Sequence, residues 1–328
     1  MNDQLFLATE HGVVTLQRDG ELWREAAHSL TGQRVTSVIA REGVILAGTP
    51  HGVFRSDDRG QAWQAASTGL TTRHVRWLAY HPDISDCEFA GTEPASIFIS
   101  RDGARTWREC SEVAQLRDRH GWFLPYSPNR GCVRGFAFHG SRAYAAVEVG
   151  GVLCSDDGGE TWRLAGGSDG NPDLDGPPEP LIYPDVHSIA VHPSSPNLVF
   201  APTGGGFYRS IDGGQTWTCL YDCYCRAAWI DPADPTHVLL GSAEGVSANG
   251  RIEETRDGGQ TWQLASKRLS VPWQRHMVER FAQVGDELLT VLSNGHLLTA
   301  PLATLEWQRI ALDVTGVAAV TWLPRVSS

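Results

Sequence analysis

Short runs of mostly apolar residues, rich in Val, Ile, Phe and Tyr and bounded by Gly, Pro and Asp, recur along the whole chain. Such runs predict β-strands separated by turns. Residues 35–40 (VTSVIA), 43–49 (GVILAGT), 52–58 (GVFRSDD) and 62–67 (AWQAAS) make one set of four. Residues 186–193 (VHSIAVHP), 197–203 (NLVFAPT), 206–212 (GFYRSID) and 216–221 (TWTCLY) make another. Between the third and fourth runs lies a polar turn that ends in tryptophan: SDDGGETW at 155–162, SIDGGQTW at 210–217, TRDGGQTW at 255–262. Aligned on that residue, Trp23, Trp63, Trp107, Trp162, Trp217, Trp262 and Trp307 mark seven units spaced by 40, 44, 55, 55, 45 and 45 residues. Four short strands per unit at this period predict propeller blades. The expected fold is therefore all-β, a single seven-bladed β-propeller of four-stranded blades over residues 1–328.

The first unit begins at QLFLATEHGVV without an innermost strand before it, whereas the tail VTGVAAVTWLP at 314–324 aligns with the innermost runs elsewhere. The tail is thus expected to complete the N-terminal blade and remove an open sheet edge. The repeated turn reads Ser/Thr-x-Asp-x-Gly-x-Thr-Trp, with Asp57, Asp102, Asp157, Asp212 and Asp257 assigned to the aspartate place. There a carboxylate accepts backbone N–H bonds, glycine supplies a left-handed backbone and the indole buries a large ring. On these boxes the chain resembles the Asp-box (BNR) β-propellers, a family that includes sialidases, sortilin-type receptors, xyloglucan-active hydrolases and a photosynthetic assembly factor. Ala104 replaces one glycine, and the first and last units keep little beyond the tryptophan.

Composition narrows the partners. With 41% hydrophobic and 20% charged residues and no apolar run of spanning length, the chain reads as soluble, with no membrane partner. The start MNDQLFLATEHG has neither a basic nor an apolar leader region, and the seven cysteines are odd in number and scattered. A cytoplasmic location with reduced thiols is expected. A net charge of -11 disfavours nucleic acid. Lys267 is the only lysine, so arginine supplies nearly all positive charge.

Strand parity puts the box turns on one face and the connections between blades on the other. The long connections 111–131 and 166–185 gather on that second, upper face, a possible surface for a protein partner. Unbroken loops of about twenty residues are uncommon unless functional. Aligning the innermost strands puts Thr36, Arg76, Arg134, His187, Arg226, Glu279 and Thr315 in one column at the channel mouth. Arg76, Arg134, His187 and Arg226, with His120, Trp122, Tyr183 and His276 from the loops, are candidates for binding an anionic or carbohydrate-like small ligand, such as a sugar acid. Packing between blades, with the arginines paired to Glu279, is the structural alternative.

The same mouth is expected to receive Glu10, Glu93, Glu148 and Glu244, with Arg73, His74, Tyr126, Arg130, Asp185 and Arg275 nearby. Glu148, Glu244, Glu279 and Tyr224 are the acid/base candidates if the protein is an enzyme, a sialidase-like hydrolase or a propeller lyase. The resemblance to sialidases implies an arginine set gripping a carboxylate, with Tyr183 or Tyr224 as available phenols. The Arg-Ile-Pro motif of that family is absent, and seven units stand where sialidases have six blades. No cofactor is expected. A divalent metal at His187, His276 and Cys223 is a weaker possibility, since CLYDCYC at 219–225 matches no standard zinc spacing.

Overall fold

The computed structural model describes residues 3–20, 22–312 and 314–324. They form seven four-stranded antiparallel sheets arranged as the blades of a ring. Blade four shows the plan: Cys132–His139 lies innermost, followed outward by Arg142–Glu148, Gly151–Ser155 and the two-residue strand Arg163–Leu164. Outer strands this short expose little free backbone edge. In blade one the innermost strand is Ala319–Leu323, which pairs antiparallel with Gln4–Thr9 from Gln4 opposite Leu323 to Ala8 opposite Ala319. The chain therefore closes the ring with its C-terminal strand, and the fold is the seven-bladed propeller expected from the repeat.

The hydrophobic core is divided among the seven junctions between blades. Between blades three and four, Phe89, Ile97, Val133, Ala145, Val147 and Leu153 are buried together with Trp162. Equivalent clusters fill the other six junctions, including the one between blades seven and one. No blade can bury both its faces alone, so stability depends on the closed ring.

Each box is a closed set of hydrogen bonds. In blade four, Ser155 Oγ donates to Asp157 Oδ1 (2.7 Å) and accepts from Gly159 N (2.9 Å). Asp157 also accepts from Thr161 N (3.0 Å) and Thr161 Oγ1 (2.6 Å), and Trp162 Nε1 donates back to Gly159 O (3.0 Å). Asp102, Asp212 and Asp257 repeat this pattern. In blade two the assignment of Asp57 is corrected. Asp58, five residues before Trp63, accepts from Ser56 Oγ (2.7 Å) and from the backbone N–H groups of Gln61 and Ala62 (2.9 Å each). Asp57 instead pairs with Arg55 (2.5 Å). Ala104 takes the glycine's left-handed backbone (φ 61°). In blade one Asp19 pairs directly with Leu22, and the outer strand Leu22–Ser29 is eight residues long.

The connection 111–131 is not the unbroken loop its length implied. It begins with the helix Ser111–His120, ended by Gly121 in the left-handed conformation (φ 68°). Only Val113 is buried on that helix, with Leu116 partly so, a pattern too sparse to signal a helix. The connection 166–185 stays irregular but is pinned: Ile182 N bonds Gly167 O (2.9 Å), and Trp217 N bonds Pro180 O (2.9 Å).

Two predictions follow from the ring and its boxes. Deleting residues 314–324 should abolish the single cooperative thermal transition and shift the protein to aggregates on size exclusion; a folded monomer with wild-type Tm would refute the dependence on closure. Asp102, Asp157 and Asp257 are held down at about 2. Slight burial opposes this at Asp102 and Asp157, but the threonine hydroxyls and backbone N–H groups outweigh it; at Asp257 the Thr261 hydroxyl leads. Their folded values lie below the ordinary carboxylate range, so their contribution is complete above about pH 4 and is lost as the pH falls toward about 2. Urea midpoints should drop over that window, and less steeply in a variant with all three changed to Asn.

Candidate functional site

The upper axis of the ring is lined through a repeated irregularity of the innermost strands. Register breaks fall between Val75 and Trp77, Val133 and Gly135, Cys225 and Ala228, and Val278 and Arg280. The residues inside these breaks include Arg76, Arg134, Arg226 and Glu279. A bulge frees a residue from the ladder and re-aims its side chain, and in four blades it delivers a charged group to the axis.

These groups line a cavity of about 480 Å³ together with Glu10, Arg34, Thr36, His74, Arg280, Ser293, Asn294 and Thr315. Only connections of the upper face contribute, and no box residue does. Among the described residues no Phe, Tyr or Trp lines it. A smaller cavity lies on the other side of Arg226, Glu279 and Arg280, bounded by Trp77, Ile230 and Phe281, so these three charged residues form the septum between the two.

Behind the arginines stand buried carboxylates. Arg76 pairs with Glu93, which also accepts from Ser127 Oγ (2.7 Å) and Asn129 Nδ2 (2.9 Å). Arg134 Nη1 donates to Glu148 Oε2 (3.1 Å), which also accepts from the Cys132 thiol (3.0 Å). Arg226 Nη1 donates to Glu279 Oε1 (2.5 Å), while its Nε and Nη2 reach the Tyr224 hydroxyl (3.2 and 3.1 Å). Arg134 Nη2 lies 3.8 Å from Glu279 Oε2, linking blades four and seven across the axis.

Burial opposes ionisation of all three carboxylates, yet each is held below its ordinary range. At Glu148 the Arg134 charge, then His187, then hydrogen bonds bring it down to about 2. Arg226 and Arg134 do this for Glu279, and Asn129, Ser127 and Arg76 for Glu93. Burial pushes the Tyr224 phenol up. The carboxylates are therefore counter-ions, and none is a ready proton donor near neutral pH.

Arg280 differs from the other three. Its guanidinium lies over the Trp77 ring (3.8 Å to the centroid) and donates to Ala318 O (3.2 Å). Among the described residues no carboxylate oxygen lies within 4 Å of it. Burial, then the Arg134 charge with Arg76 and Arg226 behind it, pulls Arg280 down to about 9 against the attraction of Glu279. An arginine so depressed still carries its proton at neutral pH; burial is the first cause, and the three neighbouring arginines add to it.

Of the candidates read from sequence, Arg76, Arg134, Arg226 and Glu279 line this cavity, as do Thr36, His74, Thr315 and Glu10. His187 lies to the side, fully buried, with Nδ1 on Cys225 O (2.8 Å) and Nε2 3.1 Å from Asp185 Oδ2; Tyr224 is next to it. His120 ends the helix and packs toward Gly170. Trp122 is core, its Nε1 donating to Gly170 O (3.0 Å). Tyr183 braces the loop 166–185 through Leu174 O (2.9 Å), His276 stacks on Trp273, and Glu244 sits on an exposed turn bonded by Asn249 (2.7 Å). Among the described residues, one group of three has ligand atoms all within 4.8 Å: Glu148, Asp185 and His187. His276 and Cys223 are not in it. Arg280 is absent from the aligned column, which holds only its neighbour Glu279. The signal for it is the bulge, which turns two successive residues toward the axis.

The BNR/Asp-box repeat family matches residues 153–164. No curated protein matches the chain. Among solved structures, an ancestral GH74 enzyme shares 19% identity at a TM-score of 0.61, covering 89% of this chain and 38% of that one. YCF48 bound to D1 peptide shares 15% identity at a TM-score of 0.61, covering 92% of this chain and 89% of that one. A GH74 enzyme from Niastella koreensis shares 14% identity at a TM-score of 0.63, covering 98% and 52%. The chain spans only part of the GH74 proteins, and at these identities the likeness is one of fold. The molecule is a seven-bladed β-propeller carrying BNR/Asp-box repeats.

Removing one partner of the Arg134–Glu148 pair leaves the other charge buried. Arg134→Ala should cost about 3–5 kcal/mol in urea unfolding, whereas Arg134→Ala/Glu148→Gln should recover part of that loss. Equal loss in both variants would show that the pair is not coupled.

Proposed function

We propose that the upper cavity binds a small anionic ligand, of the size and charge of a sugar acid or phosphorylated sugar, through Arg76, Arg134, Arg226 and Arg280. The observation that carries this reading is Arg280, a guanidinium lining a cavity with four other arginines, Arg34 among them, and without a carboxylate of its own. A ligand carboxylate or phosphate would supply the missing counter-charge and accept the fork of donors that arginine presents. Ser293, Asn294, Thr36 and Thr315 on the opposite wall offer hydroxyl and amide partners to a polar body. The cavity volume suits a small molecule. Binding is the reading, because Glu93, Glu148 and Glu279 are engaged as arginine counter-ions and none of the three is poised as a general acid. The seven free thiols support a reducing compartment, the cytoplasm.

A second reading, a protein-interaction face, draws on the exposed rings of Phe123 (41%) and Tyr126 (59%) beside the mouth and on the peptide-bound YCF48 of like fold. It differs in that binding would survive the loss of Arg280.

Thermal shift against sugar acids, phosphorylated sugars and small dicarboxylates tests the proposal. At saturating ligand the stabilisation should reach about 3 kcal/mol, several degrees in Tm. Arg280→Met should lose that shift, yet unfold about 1 kcal/mol harder than wild type without ligand, because it removes charge repulsion while keeping contact with Trp77. A ligand-induced shift that persists in Arg280→Met, or no shift from any anion, would sink the reading.

A further inference from the structure

Beside the arginine cavity, Glu148, Asp185 and His187 converge from two segments. Glu148 ends the second strand of blade four, Asp185 closes the irregular connection into blade five, and His187 follows two residues later. Glu148 and His187 are almost fully buried. The carbonyl of Cys225 can only accept a hydrogen bond, so the 2.8 Å contact fixes the proton of His187 on Nδ1. That leaves Nε2, which has the Tyr224 hydroxyl at 3.4 Å, also facing Asp185 Oδ2 from 3.1 Å, a ring lone pair against a carboxylate oxygen. A proton on Nε2 would reconcile those two atoms and leave the other Asp185 oxygen untouched. Asp185 Oδ1 would still be buried without a hydrogen-bond partner, as it is in the structure. A cation between the three side chains, held by both Asp185 oxygens, would answer both features at once.

We infer that Glu148, Asp185 and His187 form a binding site for a divalent transition-metal ion. One imidazole nitrogen and two carboxylates suit Mn²⁺ or Zn²⁺. The 3.1 Å separation of Nε2 and Oδ2 is close to the spacing of about 3 Å for adjacent ligands that each lie about 2.1 Å from one ion. The bond from His187 Nδ1 to a backbone carbonyl is the orienting contact that metal-bound histidines commonly make. Arg134 and the Cys132 thiol both hold Glu148 by Oε2 and so orient that carboxylate from behind. The remaining coordination positions are left to water or an exogenous ligand. This site does not depend on the arginine cavity binding an anion.

Titration of the full chain with Mn²⁺, followed by disappearance of the free-ion EPR signal, tests the assignment. Mn²⁺ is chosen because its preference for oxygen and nitrogen keeps the thiols at Cys219 and Cys223 out of the readout. The expected result is one saturable equivalent in wild type, weakened at least tenfold in Asp185→Asn and His187→Gln and unchanged in Cys223→Ser. Asp185→Asn keeps the shape of the side chain, so it serves alone if His187→Gln fails to fold. Absence of saturable binding in wild type, or the same binding in Asp185→Asn, overturns the proposal.

Discussion

The antiparallel pairing of Ala319–Leu323 with Gln4–Thr9 holds the rest of the molecule in place. The core is split into junctions between blades, so an open ring would expose two apolar faces and an unpaired strand edge at once. The same closure builds part of the cavity. Thr315 to Ala318 run into the closing strand and Glu10 follows the first one, so one wall exists only when the two ends of the described chain meet.

At the axis the fold sets up an electrostatic conflict and resolves most of it. Arginines from blades three, four and six point to one place, and Glu93, Glu148 and Glu279 neutralise them from behind. Buried ion pairs of this kind contribute little net stability, because the desolvation of both partners cancels much of their attraction. What they contribute is position: each guanidinium is fixed by a carboxylate and presents its remaining donors to the cavity. Arg280 is the unresolved part, braced by Trp77 and a backbone carbonyl instead. A local positive surplus inside a chain of net charge -11 is an attraction that acts at short range, since salt screens it beyond about 10 Å.

The boxes were legible because each is local: Ser155, Asp157, Gly159, Thr161 and Trp162 satisfy one another within eight residues. The misplacement of Asp57 came from two adjacent aspartates. Counting back five residues from Trp63 distinguishes them, because the carboxylate must reach the N–H groups of Gln61 and Ala62. The arginine column was legible too, since equivalent positions in repeated strands lie at equal depth. Trp122, His120 and Tyr183 were not, because proximity to a long connection does not say whether a side chain faces the cavity or braces the loop. Trp122 turns inward onto Gly170, and Tyr183 bonds its own loop.

The amino-acid sequence alone determined the number of blades, the strand that closes them and the face that carries the elaborated connections. All three follow from a local turn repeated at a fixed period. Tertiary structure decided which charges meet. The bulges turn Arg280 in beside Glu279, the pairing across the axis joins Arg134 to both Glu148 and Glu279, and the irregular connection brings Asp185 against His187. Charge, unlike a turn, acts between residues far apart in the chain, and its sign at any point is known only once every neighbour has been placed.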